Sequence, residues 1–149
     1  IKNGDELAIP LLHELGEVMW KYCGVVKNEK NLKTGLMRIK QLKIKSKNVD
    51  IRVDDGNYQD LINFLNLESS LVTAEATILS ALQRKESRGA HQRNDYPNIE
   101  TSQECNYTLK LKNEEIIISK RLLNKIRDDL KNIIQNSNRV KEMKGKLLE

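Results

Sequence analysis

The chain has few of the residue types from which catalytic and metal-binding sites are usually built. Its 149 residues include two histidines and two cysteines, and Cys23 and Cys105 lie far apart, without metal-ligand spacing. We therefore expect two reduced thiols, as is typical of cytoplasmic proteins, and no metal-binding residues. Neither common type of glycine-rich phosphate loop is visible, so we predict no cofactor-binding residues. We find no self-sufficient catalytic constellation and predict no catalytic residues.

Long apolar runs and aromatic side chains are also scarce. No stretch approaches the ~18 apolar residues of a membrane-spanning helix, and no signal peptide is visible, so we expect no direct membrane insertion. Aromatic residues make up 4% of the chain and are not interleaved with the lysines, so the net charge of +5 does not predict a nucleic-acid partner. Because the chain lacks an initiator methionine, we expect that it was processed or cut from a longer protein.

Apolar residues at helical spacing and a charged share of 32% predict a mostly solvated helical domain. We predict one all-α domain over residues 1–149. It is expected to be a spectrin-repeat-like, up-down-up three-helix bundle, with a small β-hairpin and an extra C-terminal helix. The predicted elements are helix 1 over 5–26, helix 2 over 28–46, helix 3 over 58–88, the hairpin over 105–119 and the C-terminal helix over 120–148.

Local signals set the expected helix ends. Gly24 is well placed as a left-handed residue that stops the first helix. Asn28 is the expected N-cap of the second helix, with Asn31 as the alternative. The run at 54–57, Asp-Asp-Gly-Asn, predicts a turn before the third helix.

The third predicted helix is expected to form the centre of the bundle. Residues 71–82 are nearly apolar on every side, with small alanine and serine residues interleaved. A helix with this pattern is typically buried on several sides. We therefore predict that Ala76 and Leu79 are fully buried.

The most informative segment covers residues 84–97 and is called the signature segment below. It combines alternating charges with a glycine, a histidine and an aromatic residue, a mixture that an ordinary solvated loop does not need. We interpret it as a turn that docks onto another surface, and the alternative is a self-contained helix cap. Neighbouring arginines should disfavour protonation of its histidine. The predicted docking residues are Arg84, Glu86, Ser87, Arg88, Gly89, His91, Arg93, Asp95 and Tyr96.

Three blocks of the sequence resemble a known family. The first is Glu86-Ser87-Arg88-Gly89-Ala90-His91 with Arg93 and Asp95-Tyr96-Pro97; the second is Met19-Trp20 with Gly24-Val25-Val26-Lys27-Asn28-Glu29 and Leu32; the third is the hairpin from Tyr107 to Ser119. Together they resemble the C-terminal part of the succinate dehydrogenase/fumarate reductase flavoprotein family, which includes L-aspartate oxidase. The family usually has arginine at Lys27 and valine at Cys23, and the tail beyond Lys120 matches nothing recognised.

The resemblance implies the C-terminal helical domain of a longer, FAD-dependent dicarboxylate oxidoreductase. Its implied partners are the flavin-binding and capping domains of the same parent chain and, in respiratory members, an iron–sulfur subunit. FAD belongs to those other domains, so the isolated chain is expected to be inactive. The implied location is cytoplasmic, or peripheral at the inner face of a membrane through a partner. The substrate (succinate, fumarate or aspartate) and the oligomeric state stay open. The alternative is a stand-alone basic helical interaction module with no redox role.

Overall fold

The computed structural model describes residues 3–53 and 58–136, which form a mostly helical fold with two small sheets. The elements in chain order are α1 (Ala8–Cys23), β1 (Val26–Lys27), α2 (Glu29–Ser46), α3 (Gln59–Gln83), β2 (Gln92–Arg93), a 3₁₀ turn (Thr101–Gln103), β3 (Cys105–Lys112), β4 (Glu115–Leu122) and α4 (Asp128–Asn136). None of the helices within these described ranges is both long and apolar enough to traverse a bilayer.

The connection between α1 and α2 is short and depends on two residues. The side-chain oxygen of Asn28 accepts the backbone N–H of Asn31 at 2.8 Å, so Asn28 is the N-cap of α2, as predicted. Gly24 has φ −64° and ψ −158°, so its predicted left-handed conformation is wrong. A Cβ at this position would lie 2.6 Å from the carbonyl oxygen of Trp20. Glycine is therefore needed here for close backbone approach, and not for a positive φ.

The three long helices pack pairwise around one apolar core. Gly35 of α2 lets the helices approach closely, because a Cβ there would lie 2.8 Å from the Cβ of Tyr22 and 3.0 Å from the Cδ1 of Ile78. The buried stripes are Leu11, Leu15 and Val18 on α1, Leu32, Ile39 and Leu42 on α2, and Leu67, Leu71, Ala74, Ile78 and Ala81 on α3.

Helix α3 differs from its prediction in length and in burial. It ends at Gln83 and not at residue 88, because Arg84 adopts an extended conformation with φ −83° and ψ 98°. Ala76 and Leu79 are half-buried rather than fully buried. Only one side of α3 faces the core, and its serine and threonine side chains bond back to the helix on the other side. The turn predicted at 54–57 lies outside the described residues.

The hairpin pairs β3 with β4 from Cys105↔Leu122 to Lys112↔Glu115, three residues longer than predicted. Both residues of its turn have positive φ, 50° at Asn113 and 64° at Glu114. This is the φ pattern of a type I′ turn, whose twist matches that of the flanking strands. The carboxylate of Glu114 also lies 3.8 Å from the ammonium of Lys47, the C-cap residue of α2.

The C-terminal helix is later and shorter than predicted within the described residues. Residues 120–122 belong to β4, and α4 covers Asp128–Asn136. The remainder of the predicted helix, from 137 onwards, lies outside the described residues. Leu130 and Ile133 of α4 are exposed. A helix this short is marginal in water without packing contacts.

The burial pattern of α3 predicts different effects for two adjacent truncations. Ile78→Ala should lower the free energy of unfolding by about 2–5 kcal/mol, because it removes fully buried atoms and leaves a cavity. Leu79→Ala should lower it clearly less, because Leu79 is only half-buried. Urea unfolding of the 149-residue chain measures both values. An equal or larger loss for Leu79→Ala would contradict this assignment of the core.

Candidate functional site

The signature segment folds over the end of α3 and pairs with the connection between α1 and α2. β1 and β2 form a two-residue parallel sheet in which Val26 pairs with Gln92 and Lys27 with Arg93. The backbone N–H of Asn94 donates to the carbonyl oxygen of Lys27 at 3.0 Å. Two segments far apart in sequence are thereby joined by main-chain hydrogen bonds.

Arg93 is the central side chain of this region and is only 1% exposed. Its Nη1 donates to the carbonyl oxygen of Ala81, in the last turn of α3, at 2.7 Å. Its Nε and Nη2 donate to the two carboxylate oxygens of Asp95, both at 2.7 Å. Asp95 in turn accepts the backbone N–H of Glu29, the first residue of α2, at 2.8 Å. One ion pair therefore links the C-terminal end of α3 to the N-terminal end of α2.

Each charge of this pair lies at the helix end that favours it. Cations are stabilised near helix C-termini and anions near N-termini, because the unpaired carbonyl and N–H groups carry opposite partial charges. The Arg93 guanidinium lowers the pKa of Asp95 to about 2, and the Glu29 amide acts in the same direction against the effect of burial. The guanidinium also lies 4.9 Å from the centroid of the Tyr96 ring, within cation–π range.

Glu86 forms a second ion-pair cluster and is fully buried. Arg84 donates to its carboxylate at 2.5 Å, Arg88 Nε at 3.1 Å and the backbone N–H of Glu100 at 3.0 Å. These donors, with Arg88 contributing most, lower the pKa of Glu86 to about 2 although burial alone would raise it. A buried carboxylate is tolerated here because charged or main-chain donors satisfy both of its oxygens.

Arg84 extends this cluster to the hairpin. Its Nη2 donates to the carbonyl oxygen of Cys105, the first residue of β3, at 2.7 Å. Its guanidinium lies 5.2 Å from the ring centroid of Tyr107, and the Tyr107 hydroxyl is 2.7 Å from Oε1 of Gln103. The hairpin is thus anchored to the end of α3 at its base.

Ser87 and Gly89 set the backbone path between the two clusters. The Ser87 hydroxyl accepts the backbone N–H of Arg93 at 2.8 Å and donates to the carbonyl oxygen of Tyr96 at 2.9 Å. Arg88 and His91 exchange both of their backbone hydrogen bonds, at 2.9 and 3.0 Å. Gly89, between them, has φ +58°. Its neighbour Ala90 does not share the positive φ, which is the pattern of a type II′ turn.

His91 is half-buried and lies among cations. Its Nε2 is 3.1 Å from the carbonyl oxygen of Arg84. Burial lowers the pKa of His91, and the charges of Lys27, Arg93 and Arg84 lower it further against the opposing hydrogen bond. Because a carbonyl oxygen only accepts, Nε2 carries the proton in this hydrogen bond, and the lowered pKa favours the neutral ring. Among the described residues, no group of three or more histidine, cysteine or acidic side chains could hold a metal ion.

The structure brings the predicted signature residues together around the end of α3. Their charges are directed at one another and at main-chain groups of the same domain. Glu86 pairs with two arginines, Arg84 and Arg88. Sequence reasoning missed the partners supplied from outside the segment, namely the Ala81 carbonyl, the Glu29 amide and Tyr107. No local pattern marks them, because the contact of Asp95 with Glu29 spans 66 residues.

The two clusters predict loss of stability in acid. Both carboxyl groups have folded-state pKa values near 2, below the values of 4.5 and 3.8 that they have when free. Their contribution is complete above about pH 4.5 and is lost as the pH falls towards about 2, because the unfolded chain takes up protons first. Urea unfolding as a function of pH measures the slope. Glu86→Gln should be less stable at neutral pH and should flatten the acid slope, and an unchanged slope would contradict the assignment.

Gly89→Ala tests the turn. It should lower the free energy of unfolding by about 1–3 kcal/mol, because a residue with a Cβ is strained at this backbone angle. No atom lies within 4 Å of the ideal Cβ, so the effect reports the backbone alone. Ala90→Gly, the reverse change at the next position, serves as the control and should have a much smaller effect in the same thermal or urea unfolding experiment.

Known proteins resemble the chain over most of its length. The family model described as the fumarate reductase flavoprotein C-terminus matches residues 12–135. An uncharacterized FAD-dependent oxidoreductase of Methanocaldococcus jannaschii is 36% identical over 79% of this chain and 21% of its own length. L-aspartate oxidase of Acinetobacter baylyi is 38% identical over 67% of this chain and 18% of its own length. Other relatives are fumarate reductase and succinate dehydrogenase flavoprotein subunits.

Solved structures share the fold. A Mycobacterium smegmatis Sdh1 complex contains a chain that matches 88% of this one with a TM-score of 0.80 at 23% identity, over 23% of its own length. The chain thus spans about a fifth of the length of the relatives that it matches. It belongs to the family of C-terminal domains found in the flavoproteins of succinate dehydrogenase, fumarate reductase and L-aspartate oxidase.

Proposed function

We propose that this domain is a non-catalytic part of an FAD-dependent dicarboxylate oxidoreductase. Family membership supports a flavoprotein parent. The described residues do not fit a flavin site of their own: they include no glycine-rich phosphate turn, and the Asp95 carboxylate already occupies the N-terminus of α2, where a phosphate could bind. FAD and the substrate would therefore be held by the flavin-binding and capping domains of the parent chain.

The proposed role of the domain is to pack on the flavin-binding domain through the signature segment. The observation that carries this proposal is the pair of buried ion clusters around Glu86 and Arg93, which fix an exposed turn at Gly89. A domain that only had to end a helix could do so with one cap. Two linked clusters hold the turn, β1 and the base of the hairpin in one fixed arrangement, and such rigidity favours docking.

The proposal extends to architecture and assembly. We infer that α1, α2 and α3 form an up-down-up, spectrin-repeat-like bundle, supported by the short α1–α2 connection and the pairwise packing of all three helices. A parent of the respiratory type would bring the domain near an iron–sulfur subunit. Its location would then be cytoplasmic, or peripheral at the inner face of a membrane through that partner.

A stand-alone basic interaction module is the second candidate. Its support is the charge of residues 29–47, which include seven basic residues and one acidic residue. The net positive charge of this segment alone therefore exceeds the net charge of +5 of the whole chain. The gene distinguishes the two functions. A flavin-binding module with a glycine-rich dinucleotide motif, encoded upstream in the same reading frame, supports the enzyme domain. A start codon immediately before Ile1 supports the module.

Arg88→Ala tests docking by the signature segment. Glu86 would lose Arg88 but keep Arg84 and the Glu100 amide as donors, so the melting temperature of the 149-residue chain should fall less than it does for Glu86→Gln. Because the Arg88 side chain is 37% exposed, it can also reach a partner, and the same change should weaken assembly or turnover of the full-length parent. Lys110→Ala, on the exposed hairpin, is the control and should affect neither. A parent with Arg88→Ala but normal assembly and turnover would end the docking proposal.

A further inference from the structure

A cleft lies where β1, the last turns of α3, the signature segment and the hairpin meet. Its volume is about 500 Å³, which is typical of sites that hold a small molecule. The residues that line it include Lys27, Arg84 and His91, and none of them is acidic. We call it the basic cleft.

Lys27 is the one side chain of the basic cleft whose charge has no partner within the described residues. Only two lysines in the described part of the chain are half-buried, Lys27 and Lys43. Lys43 forms an ion pair with Glu75. The Lys27 ammonium donates to the carbonyl oxygen of Val25 at 3.3 Å, and no carboxylate that the structure describes lies within ion-pair distance of it. A half-buried cation without a counter-ion is unfavourable, so the described fold alone does not account for this lysine.

The other charges around the cleft are already paired or neutral. Arg84 and Arg93 each form an ion pair within the signature segment. Burial raises the pKa of the Tyr107 hydroxyl, so β3 adds no negative charge here. Burial lowers the pKa of His91, and the charges of Lys27, Arg93 and Arg84 lower it further, so the positive potential of the cleft reaches this ring. The unpaired ammonium of Lys27 is therefore the charge that a ligand would neutralise.

The cleft also offers hydrogen-bonding groups and an apolar wall. Asn106 of β3 lines it, and the side-chain amide of Asn106 has no hydrogen-bond partner among the residues that the structure describes. The hydrogen bond of the His91 ring is made by Nε2, which leaves Nδ1 available to a ligand. The ring of Tyr107 contributes apolar surface. A few polar groups on a partly apolar wall are the usual composition of a small-molecule site.

We propose that the basic cleft binds a small monocarboxylate with an apolar body, whose carboxylate pairs with Lys27 beside His91 and whose body lies against Tyr107. One unpaired ammonium matches the single charge of a carboxylate. The ligand would contact β1, the signature segment and the hairpin at once, and it would stabilise the folded domain by mass action. This site goes beyond the proposed function and does not depend on a flavoprotein parent.

Benzoate tests the site, with benzamide as its neutral counterpart. Each is titrated into the isotope-labelled 149-residue chain at constant ionic strength, and NMR follows the ring signals of both histidines. Benzoate should shift the signals of His91 saturably and raise its pKa, because a bound anion favours the protonated ring, while His13 on α1 should be unaffected. Benzamide should bind at least about tenfold more weakly, because it lacks the charge that strengthens the hydrogen bond to the ammonium.

Three lysine variants distinguish a ligand site from a structural lysine. Lys27→Gln should weaken benzoate binding at least about tenfold, because it removes the charged partner of the carboxylate. It should not lower the melting temperature of the ligand-free chain, because the charge that it removes is unpaired. Lys40→Gln, at an exposed position of α2, is the matched control and should change neither quantity. Lys27→Arg keeps the charge and should retain binding.

Several outcomes would overturn the proposal. Absence of a saturable shift at His91, or equal binding of benzoate and benzamide, would show that the cleft is not a carboxylate site, and this comparison needs no variant. Equal benzoate binding by Lys27→Gln and Lys40→Gln would reduce the effect to general attraction of anions to a basic surface. Tighter binding of the capped peptide Ala-Glu-Ala than of benzoate would assign the cleft to an acidic segment of another polypeptide and exclude the free ligand.

Discussion

The relative position of α2 and α3 depends on one buried guanidinium. Arg93 binds the last-turn carbonyl of Ala81 with one nitrogen and both oxygens of Asp95 with the other two, and Asp95 holds the first amide of α2. The planar guanidinium of arginine fixes the directions of these hydrogen bonds and stays protonated. A lysine ammonium would not fix these directions. The ladder between β1 and β2 then repeats the same connection in the main chain. Removing Asp95 would leave the buried guanidinium with main-chain acceptors but without its counter-ion, which is unfavourable for a buried charge.

The ion pairs and the exposed charges of the domain lie in different regions. The strongest polar groups of the signature segment are directed inward, so they hold the exposed turn at Gly89 in a fixed shape. The outer face of α2 exposes a series of basic side chains, including Lys30, Lys33 and Lys40. The domain is therefore held together by ion pairs at the end of α3, and basic side chains keep the outer face of α2 hydrated.

Features set by neighbours in sequence could be predicted, and features set by distant neighbours could not. The Asn28 cap joins residues three apart, and the alternation of β3 lies within one strand. The predicted end of α3 is wrong because residues 84–88 suit a helix, but burial of Glu86 among arginines overrides that preference. An apolar run such as 71–82 also does not reveal which side meets the core. The partners of Arg93 and Asp95 come from other parts of the chain and leave no local trace.

The contact between Asp95 and Glu29 also affects the order in which parts of the domain can fold. These residues are separated by 66 positions, so the first turn of α2 is synthesised long before the carboxylate that completes it. Closing such a loop requires α1, α2 and α3 to be assembled first, since the entropic loss must be offset by core packing. On a nascent chain, the Asn28 cap can form at once, but the Glu29 amide would lack its Asp95 acceptor until the signature segment has left the ribosome. The surface that faces a partner would therefore reach its final form only after the helices beneath it are complete, which orders domain maturation before assembly.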